Sequence, residues 1–258
     1  MFSFWPKQRR RSHLLEQPFP DSWEPIVQQN VYHFHRLTDE QRDKVRRDLR
    51  IYVAEKNWEG CGGLEINDEI KVTIAAQMAI LVLGFKEQYF DAVRSILVYP
   101  DAYMAKGQHL MEGGLVVEGP SAREGEAWYR GPVILSWADV LESGRGASRG
   151  HNLVFHEFAH QLDMLNGRVA DGLPPLDSSD DMARWEALAT ATYNQLRQAC
   201  SEGYRMVFDC YGATNMAEFF AVATETFFEK SREFQEHHPE LYGLFTRYYR
   251  QDPLSWDS

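Results

Sequence analysis

Apolar and polar positions along the chain change their rhythm twice, and the changes divide it into helical, strand-bearing and again helical parts. From about residue 26 to 56, charged and apolar residues interleave at helical spacing. Thr38-Asp39-Glu40-Gln41 supplies a start signal there, with Thr38 as N-cap and Gln41 closing a capping box. Asp39, Arg42, Lys44, Arg46, Arg47 and Asp48 read as the solvated face of that helix. Asn57 to Gly63 reads as a loop. Ile66-Asn67-Asp68-Glu69 then leads into a nearly unbroken apolar helix that runs to about Leu83 and stops at Gly84.

After residue 95 the segments shorten and become β-branched. Ser95–Tyr99, Leu115–Glu118 and Val133–Trp137 read as strands, punctuated by turns at Gly113-Gly114 and Gly119-Pro120. Gly144–Gly150 is a loop, and the remainder is helical at about 151–165, 179–200, 215–230 and 237–249. Helices, then strands, then helices predict an α+β protein, mostly helical with a small mixed sheet. The expected division is a flexible tail over 1–20, a helical N-terminal region over 21–90 packed on the core, and a catalytic domain over 91–258.

Composition narrows the function. The chain of 258 residues is 44% hydrophobic and 25% charged, as a globular protein is. A net charge of -11 argues against direct nucleic-acid binding, which uses a basic face. No apolar run reaches the roughly 18 residues of a membrane span. The N-terminus is apolar first and basic second, the reverse of a signal peptide. Cys61, Cys200 and Cys210 are too few and scattered for a disulfide framework, so free thiols in a reducing compartment are expected. No Gly-rich phosphate loop follows a strand.

The chemistry concentrates in His156-Glu157-Phe158-Ala159-His160. Residues four apart share a helix face, so both imidazoles can reach one zinc ion, with Glu157 beside them as general base toward an attacking water. Asn152-Leu153-Val154-Phe155 and Leu162 make that helix apolar, and burying two histidines and a glutamate without a task would be costly. A catalytic zinc needs a third ligand from another element. His237 and His238 lie in a charged stretch beside a proline, which points to a carboxylate instead. Glu218 and Glu225, seven apart on the apolar stretch Ala217–Glu225, are the candidates: one as ligand, the other as an acceptor behind a ligating histidine. Tyr211 is a candidate oxyanion donor, or simply one of twelve tyrosines.

His156-Glu157-Phe158-Ala159-His160-Gln161-Leu162-Asp163, followed by Ala217-Glu218-Phe219-Phe220-Ala221, resembles the Mlc titration factor A family of bacterial zinc peptidases. It is more distantly similar to the catalytic domain of anthrax lethal factor. The resemblance implies a zincin-like fold, one zinc ion held by His156, His160 and Glu218, and Tyr211, seven residues before Glu218, as oxyanion donor. The distant relative carries a Glu four residues after its ligand where this chain has Val222, so the acceptor role falls to Glu225 or Asp163. The resemblance further implies a cytoplasmic, aminopeptidase-like enzyme acting on a peptide or protein substrate, and binding of the glucose-responsive repressor Mlc; a monomer is expected. The rival expectation is a non-catalytic protein that sequesters the repressor and carries a structural or regulatory zinc.

Overall fold

The computed structural model describes residues 6–101, 131–147, 150–167 and 169–257. The N-terminal part holds α1 (Lys7–Glu16), α2 (Trp23–Asn30), α3 (Tyr32–Arg36) and α4 (Asp39–Glu55). The single helical stretch expected over 26–56 is thus three helices, broken at Val31 and Leu37. Both capping-box bonds at the start of α4 are present: Gln41 N–H donates to Thr38 Oγ1 at 3.3 Å, and Thr38 N–H to Gln41 Oε1 at 2.9 Å. Asp48, expected on the solvated face of that helix, is instead buried by the fold.

The stretch expected as a tail contains a helix. Arg11 on α1 forks onto Glu55 at 2.9 and 2.6 Å and reaches Asp91 at 2.6 Å. The Arg50 guanidinium donates to the carbonyls of Leu14 and Gln17, at the C-terminal end of α1 where helical partners run out.

Three short strands form the sheet: β1 (Asn57–Gly60), β2 (Ser95–Tyr99) and β3 (Val133–Ser136), in that order. Among the described residues every pairing is parallel, with Trp58 opposite Ile96 and Leu97 opposite Ile134. A mixed sheet was expected; the strand expected at Leu115–Glu118 and its flanking turns lie outside the described residues. β1 occupies part of the expected 57–63 loop. Asn-Trp-Glu-Gly has poor strand propensity, and only pairing with β2 makes it a strand. The connection from β1 to β2 passes through α5 (Asp68–Leu81), as parallel pairing requires. β3 stops one residue short of Trp137 because Ser136 Oγ accepts Asp139 N–H at 3.4 Å and caps α6 (Trp137–Gly144).

The remaining helices are α7 (Leu153–Asp163), α8 (Ser179–Ser201), α9 (Met216–Glu229), α10 (Ser231–His237) and α11 (Pro239–Tyr249). Eleven of the fourteen residues of α5, and likewise of α9, are buried. Helices apolar all round can be satisfied only in the interior. Phe219, Phe220, Phe227 and Phe228 from α9 interlock with Trp185, Phe234, Phe245 and Tyr249 into one aromatic core. α7 packs against both α5 and α9. No helix among the described residues is long and apolar enough to cross a membrane.

Two of the three cysteines are not free, contrary to expectation: Cys200 and Cys210 form a disulfide. Spacing alone did not favour the pair. Tertiary packing does, because buried Phe208 inserts between Phe219 and Phe234 and folds the chain back onto the end of α8. Cys61 is a free thiol.

Candidate metal centre

The N-terminus of α7 is set by Asn152, whose Oδ1 accepts Phe155 N–H at 3.0 Å. One turn inward, His156 and His160 share a face of the helix, their ring centroids 5.0 Å apart. α9 begins with the same device, Asn215 Oδ1 accepting Glu218 N–H at 2.9 Å, which fixes Glu218 in the first turn facing α7. Glu218 Oε2 lies 3.1 Å from His156 Nε2 and 3.4 Å from His160 Nε2.

One donor atom from each of His156, His160 and Glu218 lies within 4.8 Å of the others. Ligands at ~2.1 Å around a tetrahedral ion sit about 3.4 Å apart, so the set fits a first-row metal such as zinc. It also fits in kind: two imidazoles and one carboxylate on two buried helices leave a fourth position open.

The surrounding electrostatics follow from burial and neighbours. Burial pushes the Glu157 carboxyl up from its ordinary range, partly countered by His156 and His160. Glu157 is only 8% exposed, and among the described residues nothing hydrogen-bonds its Oε1. A buried acceptor without a donor is costly and calls for a solvent or substrate proton at that point. For Glu218, burial acts upward, but hydrogen bonds to both histidines win and hold it well below the carboxylate range. Burial acts against charge on His156, and Glu218 and Glu225 outweigh it, raising its pKa. The ring of Tyr211 lies 5.8 Å from that of His156. Burial, with Glu218 next, pushes its phenol far up, so it remains a hydrogen-bond donor across the neutral range.

The family described as "Glucose-regulated metallo-peptidase M90" matches residues 5–250.

The chain belongs to the M90 family of metallopeptidases.

Its similarity to individual proteins also covers most of the chain. It is 37% identical to the uncharacterized protein slr2042 of Synechocystis sp. over 95% of this chain and 89% of that one. It is 34% identical to Mlc titration factor A of Edwardsiella ictaluri over 84% of this chain and 83% of that one. For Mlc titration factor A of Serratia proteamaculans the identity is 36%, over 75% and 73%.

In this M90 chain the residues expected from sequence separate into two groups. His156, Glu157, His160, Glu218, Tyr211 and Glu225 come together. Glu225 Oε1 lies 2.7 Å from His156 Nδ1, behind the nitrogen that faces Glu218. Asp163, the alternative for that place, instead accepts Gly172 N–H at 2.7 Å and anchors the loop after α7. His237 and His238 lie elsewhere: His237 bonds the Glu233 carbonyl, and His238 packs on Phe208. Sequence reasoning missed two residues linked to the centre. Asn152 and Glu229 are joined at 3.1 Å, and the Asn152 backbone N–H donates to Glu225 Oε2 at 2.6 Å. The Asn before an apolar helix is a legible cap, and Glu229 follows Glu225 by one turn; neither signal discloses that the two meet.

Proposed function

We propose that this M90 protein is a zinc-dependent peptidase, aminopeptidase-like in its preference. The observation that carries the proposal is the buried Glu157 carboxylate, its Oε1 without a hydrogen-bond partner among the described residues, beside a converging His156, His160 and Glu218 set. A purely structural metal has no use for that carboxylate. When bound there, zinc would polarise the scissile carbonyl and make water more acidic.

The chain's own groups supply the rest. Glu157, its basicity raised by burial, accepts the proton of the attacking water and passes it to the leaving amine. Tyr211 donates its phenolic hydrogen bond to the oxygen on which negative charge develops. Glu225 holds the imidazole of His156 from behind. An extended peptide substrate is held by backbone pairing along β3, which pairs only with β2 among the described residues.

A regulatory role through the repressor Mlc is supported by the name of the Edwardsiella and Serratia relatives, Mlc titration factor A. The enzyme reading and a partner-binding role are separable, since Glu157→Gln should still bind such a partner.

The test is hydrolysis of aminoacyl amides and quenched peptides by zinc-loaded protein. Glu157→Gln should lower kcat by about 10³-fold while retaining its zinc. Equal turnover by the variant would overturn the assignment of the base, and no turnover by either protein would favour the binding role.

A further inference from the structure

Asn152 is wholly buried one turn before His156, and each of its polar groups does something different. Oδ1 caps α7 through Phe155 N–H. The backbone N–H donates to Glu225 Oε2 at 2.6 Å, while the other oxygen of the same carboxylate reaches His156 Nδ1 at 2.7 Å. Nδ2 donates to Glu229 Oε1 at 3.1 Å. Glu225 therefore spans from the residue that caps the metal-binding helix to its first histidine. Glu229, one turn further along α9, holds the amide that starts that helix.

Capping alone does not explain the residue. Ser, Thr or Asp would also accept Phe155 N–H, but an ionised Asp has no hydrogen to donate, and Ser or Thr has a single short oxygen for both tasks where asparagine gives each its own atom. Nor do cations hold Glu229: Arg36 and Lys230 act on it less than burial does. Its nearest ring nitrogen is His33 Nε2 at 3.6 Å, and burial keeps that imidazole neutral, its pKa down at about 4. Two carboxyl groups one turn apart are thus bridged in the interior by one asparagine, an arrangement that costs stability unless it serves placement.

We propose that Asn152 and Glu229 are positioning residues of the metal centre, fixing the register of α7 on α9 so that Glu225 aims the Nε2 of His156 at the ion. The inference rests on the metal assignment above and adds the residues that orient its first ligand. They touch neither substrate nor reacting atoms.

The zinc affinity of the full-length protein tests it, read by competition with a chromophoric chelator well below the melting temperature. Asn152→Asp keeps the cap and the shape but replaces the donor facing Glu229 by an acceptor, and the assay is run above pH 8, where Glu229 has lost its own proton. Zinc binding should weaken about tenfold. Glu229→Met removes the acceptor from the other side, leaves the cap intact and should give a similar loss. The double variant Asn152→Asp/Glu229→Gln reverses the hydrogen bond, with the introduced glutamine amide as donor, and should regain most of the affinity. A merely destabilised fold would not be rescued in this way, and circular dichroism would confirm that each variant is folded. Unchanged affinity in both single variants, or a loss that Glu229→Gln does not relieve, overturns the proposal. A parent protein that binds no zinc would sink the metal assignment itself, and this inference with it.

Discussion

Two charged clusters hold helices together in this protein, and they are built on opposite principles. At the N-terminal end, Lys7 and Arg11 on α1 meet Glu55 and Asp91, two cations against two anions. Between α7 and α9, two imidazoles meet Glu218, Glu225 and Glu157, with Glu229 close behind. The first cluster neutralises itself at the surface, where Asp91 is 55% exposed. The second is buried, has more acid than base, and leaves Glu157 Oε1 and His160 Nδ1 without partners among the described residues. A set of charges that satisfies itself is a staple. A buried set with more acid than base, converging from two helices, fits a metal ion instead.

The largest test of that contrast is metal removal. Zinc at about a thousandfold excess over its Kd should stabilise the folded protein by about 4 kcal/mol. Differential scanning calorimetry should then show a melting temperature roughly 10 °C above that of the chelator-treated protein. No shift would mean that the buried cluster is as self-sufficient as the surface one.

Tyr211→Phe separates chemistry from stability within the site. It should lower kcat by about 10²-fold with little change in KM or melting temperature, since the ring stays and only the donor goes. A change confined to KM would remove Tyr211 from the oxyanion role.

Glu229 sharpens the comparison through pH. Burial, and Glu225 after it, raise its pKa from the ordinary 4.5 to about 8, whereas the Asn152 hydrogen bond acts the other way. Between these values the folded form keeps a proton that the unfolded chain has lost. Stability should therefore fall as pH rises through that window, by up to about 1.4 kcal/mol per unit. Chemical denaturation at a series of pH values would show the slope, and Glu229→Gln should remove it. A slope that persists in the variant belongs to another group.

The smallest effect is expected at the staple. Arg11→Ala should cost about 1 kcal/mol or less, and salt should shrink the difference, because its partners lie near solvent. Peptidase turnover should not change. A loss of turnover would tie α1 to the site.

Much of the candidate site is legible without coordinates, because its elements are local. The i, i+4 pair His156 and His160 with Glu157 follows from one helical turn, and the apolar run around Glu218 marks a buried acid. The capping box at Thr38 is equally local and is present as read. Other features depend on residues far apart in the chain. β1 is a strand only because β2 lies beside it, and α1 is a helix tied down by Arg50 and Glu55. The Cys200–Cys210 pair depends on where Phe208 is buried.

The choice between Glu225 and Asp163 behind His156 belongs to the same class. Both are buried acids, one just after the motif and one on a distant helix, and only the packing of α9 on α7 puts Glu225 at 2.7 Å while Asp163 turns toward Gly172. By itself, then, the sequence determined the kind of chemistry, since metal-ligand spacing is a property of helical geometry. Tertiary structure decided which buried groups are paired and which are left open. A hydrogen bond is satisfied or orphaned within a few tenths of an ångström, and that is set by how helices pack.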